Sequence, residues 1–376
     1  MLLMVLPPVV AQEILPTPAS PEACLSINSD AQRLACYDRA IGYQPLPTNN
    51  ADAAAQDAQK ALQEEIAANR PKDATLGERI QTRRQVSEIF RQDKTLYDAI
   101  TNVGKGSLLD SRWELANDSK LGPFQLRAYK PVYILPAFWS SAPNLRPYSP
   151  NPDNTVTTPQ ILDNTEVKFQ LSFKTKIAEN LFGNNGDLWA GYTQSSRWQA
   201  YNNDDSRPFR ETNYEPELML MFRSSYHLGG WKGRMTGISL NHQSNGRSDP
   251  YSRSWNRLIL NIGLDREHWA LLLRPWHRLH ENRKDDNNPD IEDYVGRGDA
   301  LLIFNPKNGH EVSMIMRHSL RSGHRSHGSA QVDWGFPINN LLRGHLQVFH
   351  GYGESLIDYN HKATHVGVGI SMLEWF

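Results

Sequence analysis

The chain has 376 residues, which is enough for two domains or for one large β structure with an extension. Its 40 lysines and arginines nearly balance 41 acidic residues, and the net charge of −1 argues against a nucleic-acid binder. The long apolar run, residues 2–11, falls far short of the roughly 20 residues of a membrane-spanning helix. A soluble protein or a transmembrane β-barrel remains, and an aromatic content of 10% favours the barrel.

The amino-terminal third differs in composition from the rest. Residues 1–11 resemble the end of a secretory signal peptide, although no basic segment precedes the apolar run. Cys24 and Cys36 are the two cysteines of the chain, and export would favour a disulfide that closes a small helical hairpin; two buried thiols are the alternative. Residues 12–120 are expected to form a mostly helical or partly disordered periplasmic extension.

From residue 121 onward, apolar and polar side chains alternate with a period of two between turn signals. This pattern predicts an all-β fold, a 12-stranded antiparallel transmembrane β-barrel over 121–376. Short turns alternate with longer polar loops, as in outer-membrane barrels, and a soluble β-sandwich or lipocalin-like barrel is the alternative. The strands are predicted at 127–138, 165–177, 187–198, 212–223, 231–244, 254–264, 268–277, 293–304, 310–317, 329–336, 344–352 and 364–376.

The chemically informative residues lie at the end of the strand predicted at 231–244. His242 and Ser244 stand two positions apart on its apolar face, and alternation directs that face toward lipid. Asn256 lies on the apolar face of the next strand, at the same end of the barrel. Polar side chains on a lipid-facing surface are costly unless they bond one another or take part in chemistry.

These residue types suit nucleophilic acyl transfer. Ser244 is predicted to attack, His242 to take its proton, and Asn256 to fix the imidazole tautomer. Asparagine is neutral, so further oxyanion stabilisation must come from elsewhere, and a bound cation is a candidate. The alternative is a polar rim in which the histidine and the serine bond headgroups or water.

Four segments carry a resemblance to the outer-membrane phospholipase A family. They are NHQSNGRSDPYSRSWNRL at 241–258, RWEL at 112–115, YKPVYILP at 129–136 and FRETNYEPEL at 209–218. The resemblance covers residues 108–376. It implies a twelve-stranded barrel in the outer membrane of a Gram-negative cell, a triad of Ser244, His242 and Asn256, and an active site on the outside of the barrel in the outer leaflet.

The resemblance also implies a Ca²⁺-dependent enzyme that is active as a homodimer on phospholipids and lysophospholipids. The implied calcium ligands are the backbone carbonyl of Arg247, the hydroxyl of Ser252, and a serine from the other subunit that Ser206 matches. Such oxygen ligands suit this hard cation. Gly246 would supply an oxyanion amide. Gln194 would pair across the dimer interface, and a solitary headgroup contact is its alternative.

A rival reading is a passive outer-membrane pore or structural barrel in which the triad is vestigial, and a barrel protease is a third. Loop histidines at 318, 324 and 327 are predicted to be solvated, because no cysteine or aspartate accompanies them at a fixed spacing. The acidic residues within 285–293 lack the turn glycine of an EF-hand and predict an extracellular loop.

Overall fold

The computed structural model describes residues 21, 24, 30–41, 107–115, 119–282, 284–306, 308–338 and 342–376. The chain divides into two units, Met1–Ile89 and Phe90–Phe376. In the first unit, helix α1 (Asp30–Ala40) carries Cys36, which forms a disulfide with Cys24. The signal-peptide remnant predicted at 1–11 and most of the predicted extension at 12–120 lie outside the described residues.

The second unit contains helices α2 (Leu108–Trp113) and α3 (Ile291–Tyr294) and short 3-10 helices at Pro152–Asn154 and Gly323–Arg325. No helix in the described part of the chain is long and apolar enough to cross a membrane. The strands are β1 (Leu126–Ala128), β2 (Val132–Ser140), β3 (Thr165–Ala178), β4 (Asp187–Trp198), β5 (Phe209–Leu228), β6 (Trp231–Ser244), β7 (Ser254–Arg266), β8 (Trp269–Leu279), β9 (Gly298–Phe304), β10 (Glu311–His318), β11 (Gly328–Pro337), β12 (Arg343–Tyr352) and β13 (Lys362–Leu373).

The strands close into a ring. From β2 to β13, each strand pairs in antiparallel fashion with the next strand in the chain, and β13 pairs back with β2. β1 pairs with β3 beyond the part of β3 that β2 occupies. The fold is therefore a closed 12-stranded antiparallel β-barrel, which confirms the fold class that the alternating pattern predicts.

The strand predicted at 127–138 is broken into β1 and β2 by residues 129–131. Pro131 has no amide hydrogen to donate to the ladder, and side chains of β3 bond the backbone here instead. The amide of Lys130 donates to the Ser172 hydroxyl at 3.1 Å, and the Gln170 amide donates to the Pro131 carbonyl at 2.8 Å. The prediction of one uninterrupted strand was wrong, because the ladder of backbone hydrogen bonds is interrupted at Pro131.

The largest differences in the remaining strand limits lie at the end of β5 and the start of β9. β5 runs on to Leu228, because Gly229 and Gly230 have φ of 55° and 83° and form the two-residue hairpin turn that such values permit. The strand predicted at 293–304 begins only at Gly298, and residues 291–294 form α3 with acidic residues in its first turn.

The barrel is polar inside and apolar outside. Lys168 and Arg197 both pair with buried Glu354 at 2.7 Å on the lumen side. Ile238 and Leu240 on the outward face are 50% and 52% exposed. This distribution is the reverse of that in a soluble protein and is the one expected of a barrel surrounded by lipid.

Helix α2 packs inside the barrel against β6, β7 and β8. Its Leu109 and Trp113 are buried in one cluster with Trp189 and Met235. Its Arg112 donates hydrogen bonds to the backbone carbonyls of Glu374 and Trp375, just after β13. The domain boundary predicted near residue 120 stays a prediction, and α2, which precedes it, packs with the strands.

Candidate active site

Register and hydrogen bonds define which side chains of β6 and β7 face outward. His242 lies directly opposite Asn256 across the two strands. Gln243, the next residue along β6, faces the lumen, where it accepts a hydrogen bond from Arg257 at 3.3 Å. Because strand residues alternate between faces, His242, Ser244 and Asn256 project from the outward face.

His242 and Asn256 form a hydrogen-bonded pair, with Nδ1 of the imidazole 2.8 Å from Oδ1 of the amide. The Nδ2 atom of Asn256 donates to Oε1 of Glu281 at 2.9 Å, which fixes the amide with its oxygen toward the histidine. The proton on the imidazole must therefore sit on Nδ1. Nε2 is left as the atom that can accept a proton.

Ser244 is the last residue of β6 and lies opposite Ser254 on β7 and Tyr214 on β5. It shares the outward face with His242, two positions away, where Cα atoms are about 6.6–6.8 Å apart. Its hydroxyl makes no hydrogen bond to any described residue. The structure thus joins His242 to Asn256 and sets Ser244 beside them, with the serine hydroxyl free to turn toward a substrate.

Loop 245–253, which follows the serine, is organised by Asn245. This side chain is 3% exposed. Its Oδ1 accepts the backbone amides of Arg247 at 3.3 Å and Arg253 at 2.9 Å, while its Nδ2 donates to the Tyr251 carbonyl at 2.8 Å. One amide side chain therefore sets the path of the backbone beside Ser244.

Gly246 lies at the point where this loop turns. Its φ is +61°, in the left-handed region that glycine occupies at least cost. A Cβ atom added there would lie 3.0 Å from the Tyr214 ring. Both the backbone conformation and the space favour glycine, so the turn two residues after the serine carries no side chain.

The loop is also tied to its surroundings by two arginines. Arg253 is 0% exposed and donates to the carbonyls of Ser252 at 2.7 Å and Asn154 at 2.8 Å, which joins loop 245–253 to the loop between β2 and β3. Arg247 donates to the carbonyl of Arg210 on β5 at 3.0 Å. These bonds fix the rim of the barrel around the serine.

The residues expected to hold calcium supply only oxygen ligands. Ser252 lies in loop 245–253, and its hydroxyl oxygen accepts a hydrogen bond from Asn287 at 2.7 Å, which leaves a lone pair for a cation. Arg247 lies in the same loop, and Ser206 is exposed in the loop between β4 and β5. No cluster of three or more His, Cys, Asp or Glu side chains that could hold a metal occurs among the described residues. Hydroxyl and carbonyl oxygens nevertheless fit a hard cation.

Gln194 lies on the same level of the barrel as the serine. It pairs in register with Tyr214, which pairs in turn with Ser244. At ~4.8 Å per strand, its backbone is about 10 Å from that of the serine. The Tyr192 hydroxyl donates to its side-chain oxygen at 3.1 Å.

Comparison with known proteins identifies the family. Residues 109–372 match the sequence model of the family described as Phospholipase A1. The chain belongs to this family. A putative phospholipase A1 of Neisseria meningitidis serogroup B is 36% identical over 358 residues, which cover 92% of this chain and 89% of that protein.

Solved structures extend the family likeness to the fold. A Salmonella typhi outer membrane phospholipase, described as a dimer with bound calcium, has a TM-score of 0.61 at 35% identity and covers 72% of this chain and 99% of its own. An active-site mutant of the Escherichia coli outer membrane phospholipase A, in which an asparagine is replaced by alanine, has a TM-score of 0.61 at 34% identity, covering 73% and 100%. The protein is thus a phospholipase and an outer-membrane β-barrel.

Two residues at the site of this phospholipase were missed by the sequence interpretation. Asn245 carries a signal that could have been used, because asparagine before glycine in a loop between strands commonly bonds its own backbone. Glu281 carries none, since it follows β8 and meets Asn256 only through the sheet register. Its hydrogen bond to Asn256 can be recognised only in the folded barrel.

Proposed function

We propose that this phospholipase is a calcium-dependent serine esterase that hydrolyses acyl esters of phospholipids and lysophospholipids at both acyl positions. Ser244 is the nucleophile, His242 the general base and Asn256 the residue that orients the imidazole. The observation that carries the proposal is the 2.8 Å hydrogen bond between His242 and Asn256 on the outward face. A paired histidine and asparagine on an apolar surface beside an unbonded serine suit chemistry on a lipid ester.

The proposed reaction proceeds in two halves. Ser244 Oγ attacks the ester carbonyl carbon while its proton passes to Nε2 of His242, and that proton then goes to the departing alcohol oxygen. Water attacks the acyl-serine in the second half, gives its proton to the same nitrogen, and releases the fatty acid. Asn256 holds Nδ1 throughout, so Nε2 stays aimed at the reacting atoms.

The negative charge that develops on the carbonyl oxygen needs donors close to the serine. The Gly246 amide is the proposed donor, because its backbone follows the serine by two residues in a turn with no side chain. Arg247, through its carbonyl, and Ser252, through its hydroxyl, are the proposed calcium ligands, with Ser206 of the partner subunit completing the site. Bound calcium would supply positive charge beside this oxyanion.

Dimerisation is the proposed switch. Gln194 is half-buried on the outward face, two strands from Ser244 and at the same height, so a partner seated on this face would also reach the active site. The Salmonella typhi relative, described as a dimer with bound calcium, supports this arrangement. The Tyr192 hydroxyl bonds the Gln194 oxygen, so the Nε2 group of this amide is the part proposed to pair across a lipid-exposed interface.

The site opens on the surface of the barrel and faces the outer leaflet in this proposal. Leu240 and Leu258 beside the triad are exposed, so an acyl chain in the membrane can lie against them. A passive pore is disfavoured, because Lys168 and Arg197 converge on Glu354 within the lumen, and α2 packs inside one part of the barrel.

One experiment tests the proposal. Hydrolysis of a detergent-dispersed phospholipid is measured with calcium or with a chelator, for the wild type, Ser244→Ala and Ser254→Ala. Ser254 is the matched control, because it lies directly across from Ser244 in the register and has no assigned role. We expect turnover only with calcium, and only for the wild type and Ser254→Ala. Equal turnover with Ser244→Ala would exclude the proposed mechanism.

A further inference from the structure

The hydrogen-bonded chain at the site does not stop at Asn256. Its Nδ2 atom donates to the carboxylate of Glu281 at 2.9 Å, while its Oδ1 atom accepts from the imidazole. The amide is therefore held from both ends. A carboxylate that accepts a hydrogen bond strengthens it by its charge and polarises the donor group.

The position of Glu281 follows from the register of β7 and β8. Asn256 lies directly opposite Leu279, the last residue of β8. Glu281 follows two residues later, so its side chain belongs to the same outward side and reaches Asn256 diagonally, a distance that long side chains can span. Arg278 anchors the loop that carries it, through a 2.6 Å bond to Asp286 and a 3.0 Å bond to the Pro289 carbonyl.

A carboxylate on the outward side of a barrel rim is costly unless it has a partner. The Glu281 side chain is half-buried, and no described lysine, arginine or histidine lies within ion-pair distance of it. The hydrogen bond that the structure gives this carboxylate is the one from Asn256. Its negative charge is therefore directed at the amide.

This arrangement matters because the third residue of the proposed triad, Asn256, is neutral. An asparagine orients the histidine but carries no charge to stabilise the imidazolium that forms when the serine gives up its proton. A carboxylate that accepts from the amide nitrogen pushes electron density toward the amide oxygen and places negative charge on the far side of the amide from the ring. It also excludes the flipped amide, which would present Nδ2 to the imidazole.

We propose that Glu281 is a positioning residue that orients and polarises Asn256, so that the functional unit is Ser244, His242, Asn256 and Glu281. This inference rests on the proposed function of the triad. Glu281 touches neither the substrate nor the reacting atoms in this proposal. Its effect is exerted through the amide and must appear in kcat with little change in KM.

The first test replaces the charge and then the whole acceptor, with calcium present throughout. Glu281→Gln still offers an oxygen to Asn256, and we expect kcat to fall about fivefold, because a charge-assisted hydrogen bond is roughly twice as strong as a neutral one. Glu281→Ala removes the acceptor, and kcat should fall about thirtyfold. KM should stay within about twofold in both variants, because no substrate contact is lost.

The second test exploits the mutual contact of the two side chains. Asn256→Asp alone would place two carboxylates within hydrogen-bonding distance, and we expect a loss of at least about a hundredfold, because like charges at this separation repel strongly. Adding Glu281→Gln restores an amide donor to the pair, so the double variant should recover at least about tenfold over Asn256→Asp. A role confined to loop stability would instead make the two losses multiply.

Asp285→Asn is the matched control, because it removes one negative charge from the same loop at an exposed residue with no assigned role at the site. It should leave kcat unchanged. Unaltered kcat in both Glu281→Gln and Glu281→Ala, or losses that multiply in the double variant, would overturn the inference. Retention of activity by Ser244→Ala would instead overturn the proposed function, so the two failures can be told apart.

Discussion

The side-chain amide of Asn245 donates a hydrogen bond to Oε1 of Glu211 over 3.3 Å, and the same carboxylate oxygen accepts the backbone amide of Ile357 at 2.8 Å. The loop that follows Ser244 is therefore joined through one carboxylate to loop 353–361, which connects β12 and β13. Changes on either side of this junction should reach the active site.

Asn245→Ala should lower kcat/KM by about ten- to a hundredfold, because it removes side-chain bonds that hold the loop backbone beside Ser244, and misplaced groups cost this much. The loss should fall mainly on kcat. Asn184→Ala serves as control, since Asn184 is an exposed residue of the short turn between β3 and β4. Steady-state kinetics with both variants check this, and wild-type kinetics for Asn245→Ala would show that the loop keeps its path without the amide.

Gly246→Ala should reduce activity more than tenfold, because the added methyl group meets both a positive φ and the Tyr214 ring at 3.0 Å. Gly183→Ala is a matched control. Its φ is +76°, and a Cβ atom there would meet nothing within 4 Å. Both variants should lose about 1 kcal/mol of folding free energy, but only the first should lose hydrolysis. Similar hydrolysis rates for the two would contradict a demand for glycine beside the serine.

Glu354 in loop 353–361 should make the free energy of unfolding decrease at acid pH. Burial raises the pKa of Glu354, but Arg197 and Lys168 outweigh burial and hold that pKa well below its ordinary value. A lowered folded-state pKa means that the stabilisation is complete above the unfolded value of about 4.3 and is lost as pH falls toward the folded value.

Glu354→Gln should therefore flatten the acid side of the stability profile. At neutral pH it should cost about 3–5 kcal/mol, since Arg197 and Lys168 lose a buried partner. Equilibrium unfolding in denaturant at several pH values measures both effects. A variant with the wild-type slope below pH 5 would assign the acid sensitivity to other groups.

Ser252→Ala should raise the calcium concentration for half-maximal activity by about tenfold, because it removes one proposed oxygen ligand. Asn287→Ala keeps the hydroxyl and removes only its 2.7 Å hydrogen bond, so it should have a smaller effect. Calcium titrations of hydrolysis measure both. Full activity of Ser252→Ala at wild-type calcium levels would remove this serine from the proposed site.

Alternation along the strands was enough to predict the barrel and the outward face of His242 and Asn256, because a period of two is a local property. Alternation did not predict the break at Pro131, where side chains of a neighbouring strand replace the missing ladder bonds. It also did not predict the short helix α3. The family resemblance, carried by the motif around Ser244, supplied the expected calcium and dimer residues.

Contacts between residues far apart in the chain could not be predicted from the sequence. Glu281 reaches Asn256 only because β7 and β8 pair in one register, and Glu211 meets Ile357 across 146 positions of the chain. Neither contact leaves a periodic mark in the sequence. Such residues are identified only from the folded structure, in which the loops at one rim of the barrel contact one another.

The hydrogen bonds from Arg112 to the carbonyls of Glu374 and Trp375 bring helix α2 and the residues after β13 to one place. A circular permutant that starts at α2 could join these two segments with a short linker and open new termini in the turn around Gly183. An affinity tag fused directly after Phe376 would instead crowd helix α2, and purification tags are better inserted elsewhere.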